Sequence, residues 1–89
     1  MNTTVMIVDD ETPFAEALRK RLTRRKFNVL CAHDGLEALD ILGIEKEIKV
    51  VLLDQRMPGM GGLETLRLIK AQIERRGHRD DRSEVLWLS

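Results

Sequence analysis

The sequence has a single cysteine, Cys31, so it cannot form an internal disulfide. No charged-then-apolar leader precedes Val5, and the two features together predict a reducing, cytoplasmic setting. No apolar run approaches the roughly 18 residues that a helix needs to span a bilayer, which argues against a membrane protein. Neither sign of charge prevails. Fifteen basic and 15 acidic residues balance, so no global field points to nucleic acid, a membrane surface or a polyanionic substrate. Internal repeats and low-complexity tracts are absent. So are the glycine-rich phosphate cradles G-x-G-x-x-G and G-x-x-x-x-G-K-[ST]. At 89 residues the chain has room for one domain, expected to span residues 1–89. A domain of that size buries somewhat over roughly 60% of the surface its unfolded chain would expose, so its stability is expected to be marginal.

Short apolar runs alternate with amphipathic stretches, the pattern of β-α units on a parallel sheet. The spacing predicts a strand over Val5 to Val8, then a helix with Thr12 as N-cap, Pro13 at its first position and Phe14, Leu18 and Leu22 as a buried stripe. A second strand, Asn28 to Ala32, is expected to hold Cys31 as a small buried hydrophobe. Asp34 then caps a helix carrying Leu36, Leu39 and Leu42, with Gly43 as its stop. A third strand ends at Asp54. After a loop rich in Gly and Pro, Leu63, Leu66, Ile69 or Lys70, and Ile73 mark a third helix running to about Arg76. A polar connector, Gly77 to Ser83, leads to a fourth strand in which Trp87 is expected to pack. The predicted order is β-α-β-α-β-α-β, an α/β fold.

Three of these strands end in oxygen-bearing residues: Asp9 and Asp10 after the first, Asp54 after the third and Ser89 after the fourth. In open α/β sheets the ligand crevice lies outside the carboxyl ends of the strands, so the three runs are expected to aim these groups at one place. Right-handed crossovers tend to bring the first and third strands side by side. Acidic residues after a strand often serve only as caps or turn residues. Here, however, three carboxylates would crowd at the rim of an apolar core and repel one another unless a cation neutralised them. Oxygen-only ligands select a hard ion, and Mg²⁺ is commonly held by one or two carboxylates, a carbonyl and waters. Pro58 restricts the loop after Asp54, while Gly59, Gly61 and Gly62 let it turn sharply. The cations Arg19, Lys20, Arg21, Arg24, Arg25 and Lys26 at the end of the first helix suit its C-terminal dipole and a solvated face, or a docking surface for an acidic partner. His33 has no evident partner in the sequence, and His78, Asp80 and Asp81 read as a solvated loop.

From Val5 to Ser89 the sequence resembles the response-regulator receiver domain of two-component signalling. The segment from Asp54 to Glu64 reads D-x-x-M-P-x-M-x-G-x-E, with Met57, Pro58, Met60 and Gly62 at its fixed positions. The resemblance implies a flavodoxin-like doubly wound parallel sheet that lacks the last helix-strand-helix portion, and with it the Lys that ends the fifth strand of a complete receiver. It implies Asp54 as phosphoacceptor. Mg²⁺ would be held by Asp54, by Asp10 directly, by Asp9 through water and by the backbone carbonyl of Arg56. Ser89 would hydrogen-bond the phosphoryl group. The implied partner is a sensor histidine kinase or a phosphotransfer protein, and direct nucleic-acid binding by this segment is not expected. The implied role is a phosphorelay switch rather than a turnover enzyme. One alternative is a truncated, non-switching receiver that acts as an interaction module and pairs as a homodimer through an exposed fourth strand. An aspartyl phosphatase of the haloacid dehalogenase type fails at its D-x-D signature, because Glu11 occupies the third position.

Overall fold

The computed structural model describes residues 2–57, 59–75 and 83–88. Four strands and three helices alternate: β1 (Thr4–Val8), α1 (Thr12–Arg24), β2 (Asn28–Ala32), α2 (Gly35–Ile44), β3 (Ile48–Leu53), α3 (Gly62–Glu74) and β4 (Glu84–Trp87). The strands form one parallel sheet in the order β2-β1-β3-β4. The chain therefore steps to one side of β1, then crosses back over it to β3. Right-handed crossovers in opposite directions put α1 on one face of the sheet and α2 and α3 on the other. The alternating side chains of β1 divide accordingly. Met6 and Val8 join Val51, Leu53, Ala38, Leu42 and Ile69 in the core beneath α2 and α3, whereas Val5 and Ile7, equally buried, face the side of α1. Among the described residues, no helix is long and apolar enough to cross a membrane.

The helices differ from the sequence expectation in one consistent way. Each buries small residues in its opening turns and leaves the neighbouring large hydrophobe outside. In α1 the inward stripe is Ala15, Leu18 and Leu22, while Phe14, one position out of phase, is 51% exposed. In α2 the inward residues are Gly35, Ala38 and Leu42, and Leu36 is exposed. In α3 they are Gly62, Thr65 and Ile69, and Leu63 is exposed while Lys70 points to solvent. Small residues let α2 and α3 start close against their surroundings, Gly35 against Thr65 and Met60 and Gly62 against the turn at Gln55, and this decides the stripe more strongly than hydrophobicity alone.

Several boundaries also move. Glu11, not Thr12, is the N-cap of α1 and makes no side-chain cap bond, because Thr12 is already helical and Pro13 follows it in the first turn. Gly43 does not stop α2, which continues to Ile44 and ends at Glu45. Helix α3 ends at Glu74, short of Arg76. Asp34 does cap α2 as expected, accepting from the Glu37 N–H at 2.8 Å. His33, which lacks a partner on sequence grounds, has one: the Glu37 carboxylate accepts from its backbone N–H at 2.6 Å and lies 3.0 Å from its Nδ1. Cys31 is half-buried rather than fully buried, and Trp87 is 41% exposed on an edge strand. Of the connector Gly77 to Ser83, only Ser83 lies within the described residues, so His78, Asp80 and Asp81 lie outside them.

Thr65 is fully buried against the turn at Gly35, and its hydroxyl has no hydrogen-bond partner among the described residues. A buried polar group left unpaired costs about 1–3 kcal/mol, which a similarly shaped methyl group avoids. Thr65→Val is therefore expected to raise the urea midpoint of unfolding. Leu42→Ala should lower stability by about 2–5 kcal/mol through the cavity it opens, and Leu36→Ala should leave it nearly unchanged. Equilibrium urea titration followed by circular dichroism measures all three.

Candidate functional site

The carboxyl edge of the sheet is built by backbone ladders that run one residue past the strands. The Asp9 N–H donates to the Ala32 carbonyl at 3.0 Å, the Asp54 N–H to the Val8 carbonyl at 3.0 Å, and the Leu88 N–H to the Leu53 carbonyl at 2.9 Å. Asp9 and Asp54 therefore stand side by side at the switch point between β1 and β3, where the helices change face and a crevice opens. Each aspartate then turns the chain in the same way. Oδ1 of Asp9 accepts from the Glu11 N–H two residues on at 2.9 Å, and Oδ1 of Asp54 accepts from the Arg56 N–H at 3.3 Å. Short carboxylates at strand ends favour such turns, and each carboxylate retains a second oxygen for another partner.

The loop after Asp54 is held from below. Met57 inserts into the core. Gly62, the first residue of α3, lies so close to the turn that a Cβ there would sit 2.8 Å from both the Cα and the carbonyl oxygen of Gln55. That contact is with backbone, which cannot swing aside, so the glycine permits the approach of α3 to the residue following Asp54. Gly59 takes φ 76°, the left-handed region that glycine enters freely. The spacing of the glycines in the sequence points to a turn. The close approach at Gly62 has no signal in the sequence beyond its place in the motif.

Three carboxylates converge. One oxygen each from Asp9, Asp10 and Asp54 lies within 4.8 Å of the others. Asp9 is 4% and Asp54 9% exposed, whereas Asp10 faces solvent. Burial pushes the Asp9 carboxyl above its ordinary range; the Glu11 N–H opposes that shift, and the nearby Asp54 and Asp10 charges add to it. The donor set is all oxygen, and its width is comparable to the roughly 4.2 Å across an octahedral Mg²⁺ shell. The residues present therefore fit a hard divalent cation. Arg56 places its backbone on the turn directly after Asp54. Ser89 lies outside the described residues. Elsewhere, burial raises the Cys31 thiol above its usual value, as suits a packing residue rather than a nucleophile.

Comparison with known proteins bears on this site. The family model for the response regulator receiver domain matches residues 5–77. A response regulator receiver protein from Pseudomonas putida is 30% identical, with a TM-score of 0.79, and the alignment covers 98% of this chain and 69% of that one. The receiver domain of the Francisella response regulator 1452 has the same fold at 22% identity, with a TM-score of 0.79 and coverage of 97% and 64%. The response regulator TrrA from Thermotoga maritima, in complex with Mg²⁺-BeF, is 25% identical, with a TM-score of 0.77 and coverage of 98% and 87%. The chain thus spans roughly two thirds of the length of the first two. With the doubly wound sheet, the carboxylate cluster at its switch point and the family match over residues 5–77, this chain belongs to the response regulator receiver domain family.

Proposed function

We propose that the chain accepts a phosphoryl group on Asp54 from the phosphohistidine of a sensor histidine kinase or a phosphotransfer protein, and that the resulting acyl phosphate is the signal. The observation that carries this reading is the buried Asp54 carboxylate at the end of β3, grouped with those of Asp9 and Asp10. An Asp54 oxygen attacks phosphorus in line while the phosphorus–nitrogen bond breaks, and the imidazole nitrogen leaves with the electron pair. The turn bond from the Arg56 N–H orients the attacking carboxylate, and the ladder bond from the Asp54 N–H to the Val8 carbonyl fixes the backbone beneath it. Asp9, Asp10, Asp54 and the Arg56 carbonyl would hold Mg²⁺, and the Mg²⁺-BeF complex of the Thermotoga relative supports that requirement. When bound, the ion neutralises charge on the transferred group. Ser89 is assigned the hydrogen bond to a phosphoryl oxygen. The module works as a switch that stores one phosphoryl group, not as an enzyme with a diffusible product.

Incubation with acetyl phosphate and Mg²⁺ is expected to add one phosphoryl mass to the wild type and none to Asp54→Asn, as read by intact-mass spectrometry. Equal labelling of both proteins would remove Asp54 from the role.

The metal and the raised Asp9 carboxyl make a linked prediction. A group that holds its proton more tightly when folded favours the fold while protonated, and that contribution disappears as pH rises through the folded value. Ionised Asp9 therefore burdens the metal-free protein at neutral pH. Asp9→Asn, which keeps the oxygen accepting from Glu11, should melt above the wild type at about pH 7, with the gap closing toward about pH 4 as both states take up the proton. Mg²⁺ at ten times its Kd should stabilise the wild type by about 1.4 kcal/mol, and Asp10→Ala should lose that response. Thermal melts at constant ionic strength measure both effects.

A second reading is favoured by β4, whose side chains Leu86 and Trp87 are 49% and 41% exposed on opposite faces of an edge strand. Here two copies pair through β4. Sedimentation across a concentration series is expected to show a dimer that Leu86→Lys dissociates, and a folded monomer at every concentration rules this reading out.

A further inference from the structure

A second charged surface lies at the opposite end of the molecule from the carboxylates. Helix α1 leaves the carboxyl edge of the sheet and returns to its amino edge, where the Asn28 N–H bonds the Thr3 carbonyl. Lys20, the last turn with Arg21 and Arg24, and Arg25 and Lys26 just after it form a basic stretch, all exposed. Arg19 is paired with Glu16. Among the described residues, no carboxylate comes within 4.0 Å of the other five cations. The length of β1 separates this patch from Asp9 by about 16 Å, roughly twice the screening length at physiological salt. The acidic pole therefore does little to neutralise the patch, whose nearest carboxylate is that of Glu16, paired with Arg19 and acting on Lys20.

A second observation concerns the backbone. Helix α1 ends in a Schellman motif: the Lys26 N–H donates to the Thr23 carbonyl at 3.0 Å and the Phe27 N–H to the Leu22 carbonyl at 3.1 Å. The residue at the turn of that motif is ordinarily glycine, because it takes a left-handed conformation. Here it is Lys26, with φ 73°. A lysine in that conformation costs more than the glycine usual there, so the side chain is retained against the preference of the backbone. What it adds is a cation beside Arg24 and Arg25.

We propose that the C-terminal end of α1 and the turn that follows it, from Lys20 to Lys26, form a docking surface for an acidic segment of another protein, bound at the pole away from Asp54. Two features favour acidic protein over nucleic acid. The carboxylate pole repels a long phosphate backbone that extends beyond the patch. The patch also presents no exposed aromatic side chain for a base to stack on. Its helical part, Lys20 to Arg24, spans about 6 Å, which matches carboxylates spaced one turn apart on a partner helix. A partner held here leaves the carboxylate site open, so the phosphodonor and this partner can bind together.

Fluorescence anisotropy of a labelled octaglutamate peptide, titrated with the full 89-residue chain at about 50 mM salt, tests the proposal. The triple variant R21Q/R24Q/R25Q is expected to bind about tenfold more weakly. Lys26→Gly provides the discriminating variant: it should melt about 4 °C higher, because glycine relieves the left-handed backbone, and yet bind the peptide more weakly. Peptide binding that is unchanged in either variant overturns the proposal. So does tighter binding of a 20-base-pair DNA duplex than of octaglutamate, which would make the surface a nucleic-acid site.

Discussion

The register of β1 against β3, with Val8 opposite Leu53, is the constraint on which the site depends. It sets Asp9 beside Asp54 one step past the paired residues, and the ladder bond from the Asp54 N–H to the Val8 carbonyl holds them there. A slip of one residue would reverse the faces of every side chain in β3, moving Val51 and Leu53 out of the core and Asp54 away from the cluster. The apolar core beneath α2 and α3 therefore fixes the position of a polar site that lies outside it. Burial of Met6, Val8, Val51 and Leu53 selects the register, and the register sets where the carboxylates meet.

The same arrangement works against the fold locally. Two buried carboxylates and a third at the surface gather at one edge without a cation of the chain within ion-pair distance among the described residues. Their repulsion is the ordinary consequence of placing like charges together in a partly desolvated crevice. A site arranged this way is complementary to an incoming cation and ill-suited to being empty. The unpaired Thr65 hydroxyl lies near this same edge, in the opening turn of α3 against Gly35, whereas the strained Lys26 backbone lies at the other end of α1.

Much of the architecture was legible in the residues. The four apolar runs became the four strands, and the D-x-x-M-P-x-M-x-G-x-E segment identified the loop after β3, because both are local patterns that backbone sterics and turn chemistry translate directly. Asp34 capped its helix as its residue type and position suggested. The faces of the helices were less legible. Phe14, Leu36 and Leu63 read as core by hydrophobicity and periodicity, yet they are exposed, because small neighbours at Ala15, Gly35 and Gly62 make the close contact. The pairing of His33 with Glu37 was equally hidden, since it depends on the turn that Asp34 makes between them.

By itself, the sequence determined the order of elements, the residue types at the strand ends and the acidic and basic segments along the chain. These follow from patterns a few residues long, and local physics suffices to read them. Crossover rules led to the expectation that Asp9 and Asp54 meet, and the tertiary structure fixed them as immediate neighbours; it alone decided that Gly62 must lack a Cβ because Gln55 backbone lies 2.8 Å away, and that the cations of α1 lie at the pole opposite the carboxylates. The first and last of these are relations between residues far apart in the chain, whereas the approach of Gly62 to Gln55 is made within one loop. Sheet pairing and helix crossover set such distances, and neither is written in any one segment.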